Sequence, residues 1–377
     1  MFGTKRIYLD WAAAAPVSRT AQAAFVRALS SYGNPSSPHE EGREAKALLE
    51  DARLRIARLA GTKPDAVIFT GNATEANALG IVGHIRALID SGKNAKDLHV
   101  LYLPSAHASV VGAIQEIQKL GVIAEPITAL EKQVRPETVL VVVDVVCGET
   151  GTMHPVRDMR RALDRFQKGI VLLADASQAP RVESFELQHL GADMVTLDAQ
   201  KVGGVRGVGA LIAPRHVPIT PLMQGGGQER GMRPGTESPA LAQALATALE
   251  ECAEARASFI ERATKQREVL LSQLSISTME INEGKSQAPH ILNLSLVGRD
   301  TDYLVALLDQ KGFAVSTKSA CETDEEGSRA VLAMTGDASR ARSTLRISWG
   351  PETTDADLRD FARALISSVR FMDESAI

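Results

Sequence analysis

Short apolar runs alternate with amphipathic stretches through the middle of the chain. Runs typical of strands lie at about 98–103, 139–146, 169–174, 194–198 and 207–213. Glu40–Ala60 has the spacing of an amphipathic helix that ends at Gly61, and Ser105–Leu120 is also helical in pattern. Strands that alternate with helices form a mostly parallel sheet covered on both faces. The pattern therefore predicts an α/β fold.

The pattern changes towards the C-terminus. A long helix is predicted at about 237–274, followed by a region of α+β character at about 275–377. We expect the N-terminal dozen residues to join this second region. The predicted organisation is a large α/β domain, 13–260, and a small α+β domain made of 1–12 plus 261–377.

Composition narrows the functional classes. The 377 residues are 44% hydrophobic and 23% charged, with a formal net charge of −4 and no basic tract, which argues against nucleic acid as a main partner. No apolar run has membrane-spanning length and no signal-peptide core is seen, so we expect no membrane partner and a cytoplasmic protein. The three scattered cysteines fit a reducing compartment. The eight histidines show no metal-ligand spacing, so no metal is expected.

Two predicted strands end in residues suited to one cofactor. The run Gly169–Ala174 leads into Asp175 and Gln178, and Met194–Leu197 leads towards Lys201. Strand ends of an open parallel sheet face one crevice. A lysine there can form a Schiff base with pyridoxal phosphate, and an aspartate can keep the pyridine nitrogen protonated. Taken singly, such an aspartate is often a helix N-cap and such a lysine is usually solvated.

A third strand is followed by a candidate phosphate cradle. Val67–Thr70 reads as a strand, Gly71–Ala73 as a turn, and Thr74 stands at the start of a helix. Free backbone N–H groups and the helix dipole favour an anion at such a place. The alternative is a threonine N-cap with no ligand, which is the commoner case.

Cys321 lies in a polar, small-residue segment that reads as an exposed loop. A thiol on a loop can reach a substrate, and its thiolate is the reactive form. The alternative is a solvent-exposed surface cysteine. The segment is strongly charged, with Lys318 before the thiol and Glu322 and Asp324–Glu326 after it. Acidic neighbours disfavour the thiolate, and Lys318 partly opposes them.

These runs together resemble the cysteine desulfurases, which are fold-type-I, class V aminotransferase-like enzymes. The resemblance extends in colinear order from about Ile7 to about Phe371. The matching runs are Tyr8–Ala13, Gly33–His39, Phe69–Asn77, His107, Glu149–Thr152, Asp175–Gln178, Lys201, Gly225–Glu237, Ser319–Cys321 and Leu345–Ser348.

The resemblance implies a role for each matching residue. Lys201 would bind the cofactor aldehyde, Asp175 the pyridine nitrogen, and Gln178 the ring oxygen, while His107 would stack on the ring and move protons. Ala73, Thr74 and Gln200 would hold the phosphate, and Thr236 would reach the phosphate of a partner subunit. Arg346 would bind the substrate carboxylate, since a planar guanidinium suits that group, and Gly148 stands where the family has an asparagine that helps to bind the substrate.

The function implied by the resemblance is sulfur transfer. The protein would take sulfur from L-cysteine, leave alanine and hold the sulfur as a persulfide on Cys321. The loop that carries Cys321 resembles in length the loop of those desulfurases that supply sulfur for iron–sulfur assembly. A sulfur-acceptor protein such as a scaffold is therefore the expected partner. The expected oligomeric state is a homodimer. Two alternatives stay open: selenocysteine lysis or transamination on the same cofactor, and a non-catalytic partner protein.

Two segments depart from the family pattern. The usual Asn-Asn-Glu run is Cys147-Gly148-Glu149 here, so a side-chain donor is missing at Gly148, and Cys147 is either a filler or a second thiol. The usual Ser-x-His-Lys is Asp198-Ala199-Gln200-Lys201. Gln200 can still donate. An aspartate beside a phosphate is repelled, so Asp198 turns away, pairs with a nearby arginine such as Arg206, or weakens cofactor binding.

Overall fold

The computed structural model describes residues 6–274, 279–317 and 327–375. It divides into two compact units, a large unit of residues 16–145 and 154–255 and a small unit of residues 1–15, 146–153 and 256–377. The boundaries expected from the sequence were at 12/13 and 260/261. The inserted hairpin 146–153 has no counterpart in that expectation.

Strands occur in both units. In chain order they are β1 (Ile7–Tyr8), β2 (Val67–Thr70), β3 (His99–Tyr102), β4 (Ile123–Pro126), β5 (Thr138–Asp144), β6 (Val171–Asp175), β7 (Met194–Asp198), β8 (Gly209–Ile212), β9 (Met279–Ile281), β10 (Ile291–Leu296), β11 (Phe313–Ala314) and β12 (Thr344–Ser348).

Helices alternate with the strands through the large unit, and further helices lie in the small unit. They are α1 (Arg19–Ala28), α2 (Glu40–Leu59), α3 (Ala73–Ala78), α4 (His84–Asp90), α5 (Ala108–Lys119), α6 (Leu130–Gln133), α7 (Val156–Phe166), α8 (Leu187–Leu190), α9 (Ala199–Val202), α10 (Pro239–Gln273), α11 (Thr301–Gln310), α12 (Arg329–Thr335), α13 (Ala338–Arg342) and α14 (Asp355–Ser375). Short 3₁₀ helices lie at Pro64–Ala66, Ala95–Asp97 and Gln228–Gly231.

The large unit is built on a seven-stranded sheet with the order β2-β8-β7-β6-β5-β3-β4. β8 is antiparallel to both of its neighbours, and the remaining pairs are parallel. Because β8 runs against β2 and β7, those two strands share one direction with β3 to β6. The predicted α/β fold with a mostly parallel sheet is confirmed, and its inner strands β5 to β7 are almost wholly buried, as apolar parallel strands require.

One helical segment after β2 is continuous but irregular. α3 passes through a π-helical turn at Leu79–Gly83 into α4, and every residue of that turn is buried. A Cβ added at Gly80 would lie 2.5 Å from Leu173 Cδ1, and one at Gly83 would lie 2.8 Å from Thr220 O. The two glycines therefore let this turn pack closely against the sheet and the following loop.

The small unit has its own sheets and core. β12, β10 and β9 form an antiparallel sheet, and β1 pairs in parallel with β11. Its largest buried side chains include Trp349, Phe361 and Leu9, which belong to one hydrophobic cluster with residues of α11 and α14. The pairing of β1 with β11 ties the N-terminal residues to this unit.

Candidate active site

The carboxyl edge of the large sheet gathers the predicted cofactor residues of the large unit. Ala73 and Thr74 follow β2, His107 follows β3, Asp175 ends β6, and Lys201 lies in the short helix after β7. Since β2, β3, β6 and β7 point the same way, the residues that follow them meet at one edge. In open α/β sheets this edge is where ligands bind.

Asp175 is held in place by neutral hydrogen-bond donors. It is 7% exposed, and its Oδ1 accepts from the backbone N of Ser177 at 2.9 Å and from the Ser177 Oγ at 2.6 Å. Its Oδ2 accepts from Asn77 Nδ2 at 2.8 Å. Three hydrogen-bond donors to its two oxygens fix the orientation of this carboxylate. A carboxylate that pairs with a ring nitrogen needs such a fixed orientation.

Asn77 links this aspartate to two other elements. Its Oδ1 accepts from Thr196 Oγ1 at 2.9 Å on β7, and its Nδ2 also donates to Ser109 Oγ at 3.0 Å on α5. Ser109 in turn contacts His107, whose Nδ1 accepts from the Ser109 backbone N at 3.1 Å and caps α5. A chain of hydrogen bonds thus connects His107 to Asp175.

A second acid lies beside Asp175. Asp144 ends β5 and is the register partner of Asp175 on β6. Burial raises the pKa of Asp144 above its ordinary value; His154 opposes this shift, and the charge of Asp175 adds to it. Asp144 therefore takes up a proton more readily than an exposed aspartate does.

The phosphate end of the predicted site differs from a plain anion cradle. Asp198 is 5% exposed; its Oδ2 accepts from the Ala73 backbone N at 3.1 Å, and its Oδ1 accepts from the Gln200 backbone N at 3.1 Å. In the described chain Asp198 forms no ion pair with the exposed Arg206 or with another arginine. Two of the three outcomes predicted for Asp198 do not occur, because its carboxylate neither turns away from the start of α3 nor pairs with Arg206.

The other predicted residues of the large unit have mixed exposure. Lys201, Gln178 and Gln200 are half-buried, and Thr74 is exposed.

Thr236 is exposed in the segment 225–237, which the buried Glu229 anchors. The Glu229 carboxylate accepts from Arg53 Nη2 at 2.7 Å and from the Phe69 backbone N at 2.8 Å. Glu229 and Arg230 have positive φ angles of 47° and 59°, a conformation that side-chain contacts must stabilise.

In the small unit, the predicted carboxylate-binding arginine is buried and already paired. Arg346 is 3% exposed and lies on β12; its Nη1 donates to Gly148 O at 3.0 Å and its Nη2 to Asp10 Oδ1 at 2.8 Å. Gly148 lies in the hairpin 146–153, where the buried Cys147 pairs through its backbone with Thr152. At 2% exposure, Cys147 suits a filler better than a reactive thiol.

Cys321, with the rest of 318–326, lies outside the described residues. The chain on both sides of this segment is fixed to the small unit. Ser316 pairs through its backbone with Arg346, and the Ser328 hydroxyl donates to the Glu149 carboxylate and caps α12.

Sequence reasoning missed several residues that build the site. Asn77, Ser109, Ser177 and Asp10 were given no role, although each orients a predicted functional side chain. A signal was present for Asn77, because asparagine is disfavoured in a helix interior and its side-chain contacts there need an explanation.

The residues fit the ring end of pyridoxal phosphate, because an imidazole, a fixed carboxylate, an amide and an amine lie at the ends of β3, β6 and β7, which share one edge of the sheet. At the phosphate end, Thr74 and Gln200 suit an anion, while Asp198 does not. No helix in the described parts of the chain is long and apolar enough to cross a membrane. Within those same parts, no group of three or more His, Cys, Asp or Glu residues is arranged to hold a metal ion.

The mainly parallel sheet and the polar residues beyond its strand ends define an α/β protein with a ligand site at the carboxyl edge. The family model described as aminotransferase class-V matches residues 7–361. The chain therefore belongs to the class-V aminotransferase family, a family of pyridoxal-phosphate enzymes, and the resemblance to cysteine desulfurases seen in the sequence is confirmed.

Relatives and solved structures agree with this assignment. The chain is 30% identical over 384 residues to "Cysteine desulfurase IscS" of Dictyoglomus turgidum, covering 97% of this chain and 96% of that protein. It is 31% identical over 402 residues to "Cysteine desulfurase" of Frankia sp., covering 98% and 93%. Among solved structures, a "NifS-like protein" matches with a TM-score of 0.89 at 27% identity, covering 97% of this chain and 100% of that one. "SspA in complex with cysteine" matches with a TM-score of 0.79 at 26% identity, covering 92% and 99%.

Proposed function

We propose that the protein is a pyridoxal-phosphate-dependent cysteine desulfurase. The observation that supports this most directly is the fixed Asp175 carboxylate, which lies on β6 beside the strand that leads to Lys201. The relatives named as cysteine desulfurases, and the similar protein solved with cysteine, favour L-cysteine as the substrate.

When bound, the cofactor would supply an aldehyde that reacts with amines and a ring that accepts electrons. The chain's residues would hold it: Lys201 at the aldehyde carbon, Asp175 at the ring nitrogen, Gln178 at the ring oxygen and His107 at the ring face. Thr74, with its backbone and hydroxyl at the start of α3, would contact the phosphate, together with the Gln200 amide.

The sulfur step falls to Cys321. Its thiolate would attack the substrate sulfur, so that an S–S bond forms and the substrate C–S bond breaks. The bonding electron pair stays with the substrate carbon, which takes a proton and becomes the methyl group of alanine. Cys321 is left as a persulfide, whose outer sulfur is available to a sulfur-acceptor protein.

Dimerisation belongs to this proposal. Thr236 is exposed, and the backbone of its segment is fixed by Glu229 and Arg230. A residue that contacts a second subunit needs both properties. We propose a homodimer in which Thr236 contacts the phosphate of the partner's cofactor. An active monomer would contradict this part of the proposal.

The test is a titration of L-cysteine into protein supplemented with pyridoxal phosphate and an excess of a dithiol reductant, which reduces the Cys321 persulfide and releases its outer sulfur as sulfide. The visible spectrum, sulfide and alanine are followed together. We expect a protein-bound band that Lys201→Ala lacks, and equal amounts of sulfide and alanine. Cys321→Ser should keep the band and lose sulfide release. Cys252→Ser is the matched control, because this buried cysteine donates to Val202 O and serine keeps a donor there.

Other outcomes would overturn the proposal. A band that forms without sulfide would mean another reaction on the same cofactor, such as selenocysteine lysis or transamination. A keto-acid product would identify transamination. A protein that stays colourless and ignores cysteine would be a non-catalytic member of the family.

A further inference from the structure

The start of α3 is already occupied by side chains of the chain itself. The backbone N of Gly71 donates to Glu75 Oε2 at 2.6 Å, that of Glu75 to Asn72 Oδ1 at 3.0 Å, and that of Ala73 to Asp198 Oδ2 at 3.1 Å. The Thr74 backbone N–H and hydroxyl are among the donors on this turn of the described chain that remain for a ligand. A phosphate at this helix start therefore has fewer backbone donors than the turn contains.

The two carboxylates at this turn differ in their partners. Glu75 pairs with Arg233, whose Nε lies 3.1 Å from Glu75 Oε1, so its charge is offset by a cation. Asp198 has neutral partners: the backbone N of Ala73, the backbone N of Gln200 and, at 3.4 Å, the Gln200 side-chain amide. Its negative charge is therefore uncompensated by those contacts, and it is 5% exposed, where solvent screens poorly.

We propose that Asp198 competes with the cofactor phosphate for the start of α3, and so determines which form of the cofactor this site accepts. Its carboxylate takes the Ala73 N–H that a phosphate oxygen would use, and it repels the phosphate charge. The phosphate then adds little to cofactor affinity, and phosphate-free pyridoxal binds nearly as well as pyridoxal phosphate. This inference rests on the proposed function, because it assumes that the ring binds at Lys201 and Asp175.

Replacing Asp198 with asparagine separates the effect of the carboxylate charge from the effect of side-chain size. An Asp198→Asn side chain has the same size, and its oxygen can still accept from the Gln200 backbone N and cap α9. Its amide N–H₂ can then donate to a phosphate. Asp158→Asn is the matched control, because it removes the same charge from a side chain that is 69% exposed on α7.

The experiment measures the equilibrium binding of pyridoxal phosphate and of pyridoxal to the purified full chain and to both variants, by dialysis and absorbance. We expect Asp198→Asn to tighten pyridoxal phosphate binding by about tenfold or more, since it removes a like charge in a buried place. Pyridoxal binding should stay the same in all three proteins, and Asp158→Asn should match the wild type for both ligands.

Each remaining outcome counts against the inference. If Asp198→Asn leaves pyridoxal phosphate affinity unchanged or weakens it while thermal unfolding shows a folded protein, Asp198 does not compete with the phosphate. If both ligands tighten equally, the residue acts on the ring and not on the phosphate. If the wild type and both variants bind neither ligand, the cofactor assignment fails, and the proposed function falls with the inference.

Discussion

Arg346 and Asp10 form a partly buried ion pair within the small unit, with Arg346 Nη2 2.8 Å from Asp10 Oδ1. The Arg346 guanidinium also donates to Gly148 O, and its buried Nε has no hydrogen-bond partner in the described chain. The partner at position 148 is the backbone carbonyl, since glycine has no side chain to contact the guanidinium. A substrate carboxylate that reaches Arg346 would share the guanidinium with Asp10.

We therefore expect Asp10→Asn to lower the KM for L-cysteine several-fold, because the positive charge of Arg346 is no longer offset. The same change should lower the free energy of unfolding by about 1–3 kcal/mol, since Arg346 loses its charged partner. Steady-state kinetics and urea denaturation provide the two measurements. Asp309→Asn, at an exposed pair with Arg6, is the control. A raised KM would contradict this prediction and would show that other groups besides Arg346 bind the substrate carboxylate.

Asn77 should matter for both stability and cofactor orientation. Asn77→Ala removes the donor to Asp175 and the acceptor for the Thr196 hydroxyl in a place that is fully buried. We expect a loss of about 2–4 kcal/mol in the free energy of unfolding, together with weaker binding of pyridoxal phosphate. Asn94→Ala, which removes an exposed cap contact to Lys96, should cost about 1 kcal/mol or less. Equal losses in the two variants would contradict the role assigned to Asn77.

The pair of Arg53 and Glu229 is expected to fix the segment that presents Thr236. Their side chains are 8% and 1% exposed, so Arg53→Ala leaves Glu229 buried without its cation. The predicted cost is about 3–5 kcal/mol, measured by chemical denaturation. Lys265→Ala, at a pair whose side chains are both 70% exposed, should change stability by about 0.5 kcal/mol or less. If the segment supports a dimer, Arg53→Ala should also shift the oligomer towards monomer in sedimentation.

His84 makes the protein less stable in mild acid. It is 2% exposed, its Nδ1 donates to Pro218 O at 2.9 Å, and burial lowers its pKa below the ordinary value. A histidine with a depressed folded-state pKa contributes stability above its unfolded pKa of about 6.5, and this stability is lost as the pH falls towards the folded pKa. Between about pH 7.5 and 5.5, the wild type should lose about 1 kcal/mol more than His84→Gln. The side chain of His189 is 51% exposed, so His189→Gln should lose the same stability as the wild type between these two pH values.

Much of the large unit could be predicted because its strands are buried on both faces and read as apolar runs. The predicted strand at 194–198 matches β7, and the predicted helix Glu40–Ala60 matches α2 with Ala60 as its cap. The reversed direction of β8 could not be predicted. Strand direction depends on the loop that precedes β8, and the run at 207–213 is equally apolar in either direction.

For the site, the chain order of Asp175 and Lys201 was enough to place both residues at one sheet edge. The contacts made by Asp198 and Asp10 were beyond sequence reasoning, because each joins residues more than a hundred positions apart. A carboxylate can repel a phosphate, bind a cation or accept from a backbone N–H, and packing decides which of these occurs.

The π-helical turn at Leu79–Gly83 has a consequence for the helix that contains it. In an uninterrupted α-helix, Asn77 and His84 would lie seven positions apart on one face. One extra residue per turn rotates the following part of the helix by about 100°. Asn77 therefore contacts Asp175 in the sheet, while His84 reaches the carbonyl of Pro218. A deletion of one residue in this turn would therefore restore regular α-helical geometry and keep both side chains on the faces that they occupy here, because it removes the residue that causes the rotation.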